Sequence, residues 1–148
     1  MGAIERFHTG MVVDDLDGTL AELTELFDLR WGAEVALPVP VRFPDGLQEV
    51  DIRFRYSCSE PRLEVIQAVH GTMWTPVEPS GLHHIGCWSG DMTADAANLL
   101  ARGYEVEAEG LDDSGAVAWA YFRSAARPRI ELIDRSLESG IHLLFEPA

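Results

Sequence analysis

The chain contains no lysine; all 11 of its basic residues are arginines. That removes a lysine Schiff base and a lysine general base from the chemistry open to it. Cysteine is scarce as well, with only Cys58 and Cys87. Both fall in segments that read as strands, so buried free thiols in a reducing compartment are expected rather than a disulfide. No run approaches the roughly 18 apolar residues that a spanning helix needs. The opening Met1-Gly2-Ala3-Ile4-Glu5-Arg6 lacks the basic and then apolar layout of a signal peptide. The expectation is a cytoplasmic protein. Positive charge is outweighed throughout, 25 acidic residues against 11 basic, for a formal net charge of −14. Such a surface repels phosphate backbones and anionic lipid, so neither nucleic acid nor a membrane is expected as a partner.

What is present is enough for a core. The 148 residues, 47% of them apolar, suit one compact domain. The clearest signal is an internal repeat. Pro61-Arg62-Leu63-Glu64-Val65-Ile66-Gln67 recurs as Pro128-Arg129-Ile130-Glu131-Leu132-Ile133-Asp134, and upstream His8-Thr9-Gly10 recurs as His84-Ile85-Gly86. Each copy therefore opens on a histidine strand and closes on a glutamate strand. Asp14-Asp15-Leu16-Asp17 is an acidic helix start, and Leu16, Leu20, Leu23 and Phe27 follow as one apolar stripe. In the second copy Asp91 caps a helix carrying Met92, Ala96 and Leu99, with Arg102 and Gly103 at its end. Short alternating segments follow each helix: near Glu34, Val50 to Tyr56 and Leu63 to Gln67, then Tyr104 to Ala108, Val117 to Arg123 and Ile130 to Ile133.

The pattern predicts an α+β fold of two tandem βαβββ modules. Together they form an eight-stranded, cup-shaped mixed sheet with the helices outside. Module one spans about residues 5–70, module two about 81–136, and a tail covers 137–148 of a single domain. Pro38 to Gly46, with three prolines, reads as a loop. The apolar tail Ile141 to Phe145 is suited to docking on the body or on a neighbouring chain. With the edge strands, it leads us to expect a homodimer.

Strand alternation sets His8 on a face with Gly10 and Val12, and His84 on a face with Gly86 and Trp88. If the modules pair about a pseudo-twofold axis, His8, Glu64, His84 and Glu131 converge. Two imidazoles and two carboxylates suit one borderline divalent ion: Ni, Co, Zn, Mn or Fe. The competing reading is a structural polar network in which Arg62 and Arg129 neutralise the two glutamates. Repetition of both residue types at equivalent places favours the metal.

The segments Phe7-His8-Thr9-Gly10-Met11-Val12-Val13-Asp14, Arg62-Leu63-Glu64-Val65-Ile66-Gln67, Leu82-His83-His84-Ile85-Gly86 and Arg129-Ile130-Glu131-Leu132-Ile133-Asp134 carry a resemblance. The sequence resembles the vicinal oxygen chelate superfamily, which includes glyoxalase I, methylmalonyl-CoA epimerase, extradiol dioxygenases and bleomycin-resistance proteins. The resemblance implies metal ligands at His8, Glu64, His84 and Glu131, with His83 on the opposite face as a structural residue. A glutamate at position 64 is similar to the glyoxalase I pattern, whereas methylmalonyl-CoA epimerases tend to have glutamine there. Extradiol dioxygenases use two His and one Glu, so a fourth protein ligand argues against that chemistry.

The resemblance also implies an activity: a divalent-metal-dependent isomerase, epimerase or glyoxalase-like lyase. It would abstract a proton next to a carbonyl of a small molecule, with Glu64 or Glu131 as the base. The alternatives are a metal-free small-molecule binding or resistance protein, and an extradiol-type dioxygenase. Tyr56, Trp88, Trp119 and Tyr121 are candidates for the walls of an apolar pocket, or else core residues. Trp74, in the connection His70-Gly71-Thr72-Met73-Trp74, either lines the mouth of the cup or plugs the join between the modules.

Overall fold

A computed structural model describes residues 3–148. The chain runs β1 (Glu5–Val13), α1 (Leu16–Phe27), β2 (Val35–Phe43), β3 (Gly46–Tyr56) and β4 (Leu63–Gln67). It continues with β5 (Leu82–Ser89), α2 (Met92–Ala101), β6 (Glu105–Leu111), β7 (Val117–Ser124) and β8 (Arg127–Asp134), and ends in α3 (Glu138–His142) between two single turns of 3₁₀ helix. This is βαβββ twice over. The eight strands close in the order β1-β4-β3-β2-β6-β7-β8-β5.

The two copies use one pairing scheme. In the first, β4 lies parallel to β1 and antiparallel to β3. In the second, β8 lies parallel to β5 and antiparallel to β7. The first and last strands of each copy are thus hydrogen-bonded neighbours, although more than 35 residues separate them in the sequence.

Both helices begin as their sequences dictate. The Asp15 carboxylate accepts from the Gly18 N–H at 3.0 Å, and that of Asp91 accepts from Ala94 at 3.0 Å. Each satisfies an amide that a helix start leaves without an intrahelical partner. Gly103 has φ of +92°, the left-handed end foreseen for α2. The α1 stripe buries Leu16 and Leu20, but Phe27 is exposed. Phe27 is the last residue of α1, and Asp28 turns the chain into the left-handed region there.

Two compact units emerge from the packing. The His84 unit gathers the N-terminal residues up to Phe7, Pro38–Val50 and His84–Glu138. The His8 unit gathers His8–Leu37, Asp51–His83 and Ser139–Ala148. Leu99, Tyr104, Phe122 and Leu132 centre the core of the first; Leu16, Leu20, Trp31 and Val65 centre that of the second.

Two local expectations need correcting. The proline-rich Pro38 to Gly46 stretch is largely strand, since β2 runs to Phe43 before the turn at Gly46. Its pairing with β6 falls at Val41 and Arg42, while Pro38 and Pro40 are exposed. A proline costs a sheet only where its missing N–H is needed. Cys58 lies just past β3 rather than within a strand, and it is half-buried; Cys87 is buried in β5. Both thiols are free.

Candidate metal centre

In the His8 unit, parallel pairing sets Gly10 directly across from Glu64. In the His84 unit, it sets Gly86 directly across from Glu131. Registered neighbours share a face at about 4.8 Å, so a side chain at either glycine would stand beside the carboxylate. With none there, the carboxylate leans toward the histidine two residues earlier. His8 Nε2 lies 3.3 Å from Glu64 Oε1, and His84 Nε2 lies 3.3 Å from Glu131 Oε1. The His-x-Gly motif thus has a physical reading. It supplies the imidazole and then the space for the carboxylate beside it.

On its other side each glutamate faces a tyrosine. Tyr56 is registered with Glu64 across β3–β4, and Tyr121 with Glu131 across β7–β8. Each tyrosine ring meets the imidazole of its own unit edge-on, His8 at 5.4 Å and 76°, His84 at 5.0 Å and 89°. A second aromatic stands two residues before each tyrosine. Phe54 meets Tyr56 at 5.5 Å and 82°, and Trp119 meets Tyr121 at 5.6 Å and 81°. Such edge-to-face pairs add to burial and fix ring orientation. The sequence carries this aromatic-x-Tyr repeat as Phe54-Arg55-Tyr56 and Trp119-Ala120-Tyr121, but its spacing to the glutamate is unequal, eight residues before Glu64 and ten before Glu131, which masks it as part of the repeat.

His8, Glu64, His84 and Glu131 are all buried, with exposures of 0–6%. Each offers one ligand atom, and these atoms all lie within 4.8 Å of one another. The donor set fits a borderline divalent ion, with two neutral nitrogens and two carboxylates that offset its charge. Buried carboxylates are costly without such compensation.

The arginines beside the glutamates are engaged elsewhere. Arg129 forks onto Glu107, Nε to Oε2 at 2.6 Å and Nη2 to Oε1 at 3.1 Å. Arg62 donates from Nη1 to the Ser57 carbonyl at 2.8 Å, and its guanidinium lies 3.8 Å above the Phe145 ring. His83 Nε2 lies 3.0 Å from the Met73 carbonyl, a structural bond on the face opposite His84. Trp88 stacks flat on Phe7 at 3.8 Å and 8°, and Trp74 is buried. Burial pushes the Cys87 thiol up to about 11, with the Glu131 carboxylate adding to the rise and Arg6 opposing it.

A model of the Glyoxalase/Bleomycin resistance protein/Dioxygenase superfamily matches residues 7–122. The chain belongs to that superfamily. Among solved structures, a variant of Streptomyces coelicolor methylmalonyl-CoA epimerase in complex with 2-nitronate-propionyl-CoA superposes with a TM-score of 0.60 at 17% identity, over 89% of this chain and 98% of that one. A hypothetical protein from Bacillus halodurans gives 0.61 at 14% identity, over 90% and 95%. Mycobacterium tuberculosis methylmalonyl-CoA epimerase gives 0.55 at 15% identity, over 90% and 92%. At these identities the likeness is one of fold. A Fusarium vanettenii protein named arylacetonitrilase is 31% identical over 97 residues, 62% of this chain; the match spans only 25% of that protein's length.

Proposed function

We propose that the chain is a divalent-metal-dependent isomerase, epimerase or lyase that removes a proton next to a carbonyl of a small molecule. The observation that carries this reading is the buried set His8, Glu64, His84 and Glu131, whose ligand atoms lie within 4.8 Å of one another. The four side chains would hold one ion. When bound, that ion supplies Lewis acidity, drawing electron density from a carbonyl oxygen and so acidifying the adjacent C–H.

The protein's own groups do the rest. A glutamate Oε accepts the proton as the C–H bond breaks, and the electron pair moves toward the carbonyl oxygen. The same carboxyl group returns the proton to that carbon or a neighbouring one. We assign the base to Glu131, with Glu64 the alternative. The two tyrosine rings hold the imidazoles in orientation. A cup that only sequesters a ligand has no need of two buried His–Glu pairs, and a two-His, one-Glu dioxygenase site has no need of Glu64. We further propose that the chain forms a homodimer in the cytoplasm. The basis for the dimer is the exposed Leu26 and Leu47, since the strands close on one another and Phe145 of the tail packs on Tyr56 of its own chain.

The test is α-proton exchange in deuterated solvent, followed by NMR over a panel of thioesters, hydroxyketones and hemithioacetals. Exchange that depends on added metal supports the reading. Binding of a carbonyl compound with no exchange, metal present, would make sequestration the better account.

A further inference from the structure

The repeat places an arginine two residues before each glutamate, and the two arginines have opposite surroundings. Arg129 is neutralised by Glu107 through a two-bond fork. Arg62 forms no ion pair among the described residues. It is half-buried all the same, and its Nε is buried without a hydrogen-bond partner. In a chain with 25 acidic residues and 11 basic ones, a fixed guanidinium without a carboxylate calls for a reason.

Its fixation is specific. The Arg62 carbonyl accepts from Thr9 N–H at 3.0 Å, so strand alternation extends back to Arg62 and sets its side chain on the Glu64 face. Two residues of strand are about 7 Å, so Arg62 stands a short molecule's length from Glu64, a candidate ligand and the alternative base. Nη1 is held by the Ser57 carbonyl, and the guanidinium plane rests on Phe145. Phe145 in turn meets Tyr56 at 5.1 Å and 82°, and Tyr56 meets His8. Gly32 makes this docking of the tail feasible, because a Cβ there would come within 1.6 Å of the Leu144 carbonyl oxygen. The tail therefore holds one cation flat, with Nη2 uncommitted, in line with a ligand histidine.

We infer that Arg62 is an anchor for an oxyanion of the substrate, a carboxylate or a phosphate, carried a short distance from the carbonyl. A planar guanidinium with a free edge suits such a group, and prior fixation lowers the entropy cost of binding it. The inference rests on the proposed reaction only for the word substrate. Its test therefore uses metal-stripped protein, where failure of the metal reading has no effect.

Malonate and inorganic phosphate are titrated calorimetrically into wild type, Arg62→Gln, Arg62→Lys and Arg129→Gln, with dimethyl malonate as the uncharged control. The expected result is millimolar binding of at least one anion by the wild type and none of the ester. Affinity should fall at least tenfold in Arg62→Gln, fall less in Arg62→Lys, and stay within twofold in Arg129→Gln. Whichever anion binds more tightly names the group. Unchanged affinity in Arg62→Gln overturns the inference, as does a wild type that binds neither anion at 50 mM. If Arg62→Gln fails to fold, Phe145→Leu replaces it, and its expected loss is threefold or more; no loss overturns the inference.

Discussion

The His8 and His84 units carry the same ligand pair, in the same register, at the same 3.3 Å separation, and differ in what surrounds it. Each seats an extra aromatic group with a glycine. In the His84 unit, Trp119 lies over Gly110, where a Cβ would come within 1.9 Å of the indole. In the His8 unit, Gly32 admits the C-terminal tail and with it Phe145. The arginine near the glutamate is neutralised in one unit and left cationic in the other. Duplication has thus kept the His–Glu geometry and let the flanks diverge. A symmetric ligand set needs asymmetric surroundings if one glutamate is to be the base and the other only a ligand.

The sharpest way to break that comparison is to change one glutamate at a time. Glu131→Gln should lose about 10²–10⁴-fold in α-proton exchange, as expected for removal of a general base. Glu64→Gln should keep its metal and part of its exchange. Equal losses would mean that the flanks do not distinguish the two carboxylates.

Next in size are the glycines. Gly110→Val forces the Trp119 indole off the sheet and should cost about 1–3 kcal/mol in urea unfolding, as overpacking does. Gly32→Val meets backbone rather than a side chain, so the tail must undock. Its signature should be faster proteolysis after Asp134 with residues 3–134 still folded.

The repeat, both aspartate caps, Gly103 and the four candidate ligands were legible in the sequence, because each rests on local periodicity or on a turn that one residue type dominates. β2 was not. Three prolines suggest a loop unless one knows that the β6 ladder uses Val41 and Arg42, which is a fact of tertiary pairing. Phe27 sits on the predicted apolar stripe but falls where α1 ends, and periodicity does not mark that boundary. The docking of Phe145 beneath Arg62, and the contrast between Arg62 and Arg129, depend on which carboxylates come near in space. No motif reports that.

The smallest expected effects concern the thiols. Cys58 should react with a maleimide at pH 8, while Cys87 stays protected until the protein unfolds. The folded protein holds the Cys87 proton more tightly than the unfolded chain does, so its contribution to stability is fully present below pH 9. It is lost progressively as pH rises from about 9 to about 11. Cys87→Ala should flatten that part of the unfolding profile. A wild-type profile already flat there would contradict the assignment.

In the proposed function, His8, Glu64, His84 and Glu131 act together on one ion. Its most direct test is elemental analysis of the protein as purified, without added metal, alongside His8→Ala and His84→Ala. We predict about one equivalent of Ni, Co, Zn, Mn or Fe per chain in the wild type, and loss of most of it in either variant, since each removes a ligand from a different unit. A wild type that holds no divalent metal and takes up none on dialysis would contradict the account. So would a metal retained in full by both variants.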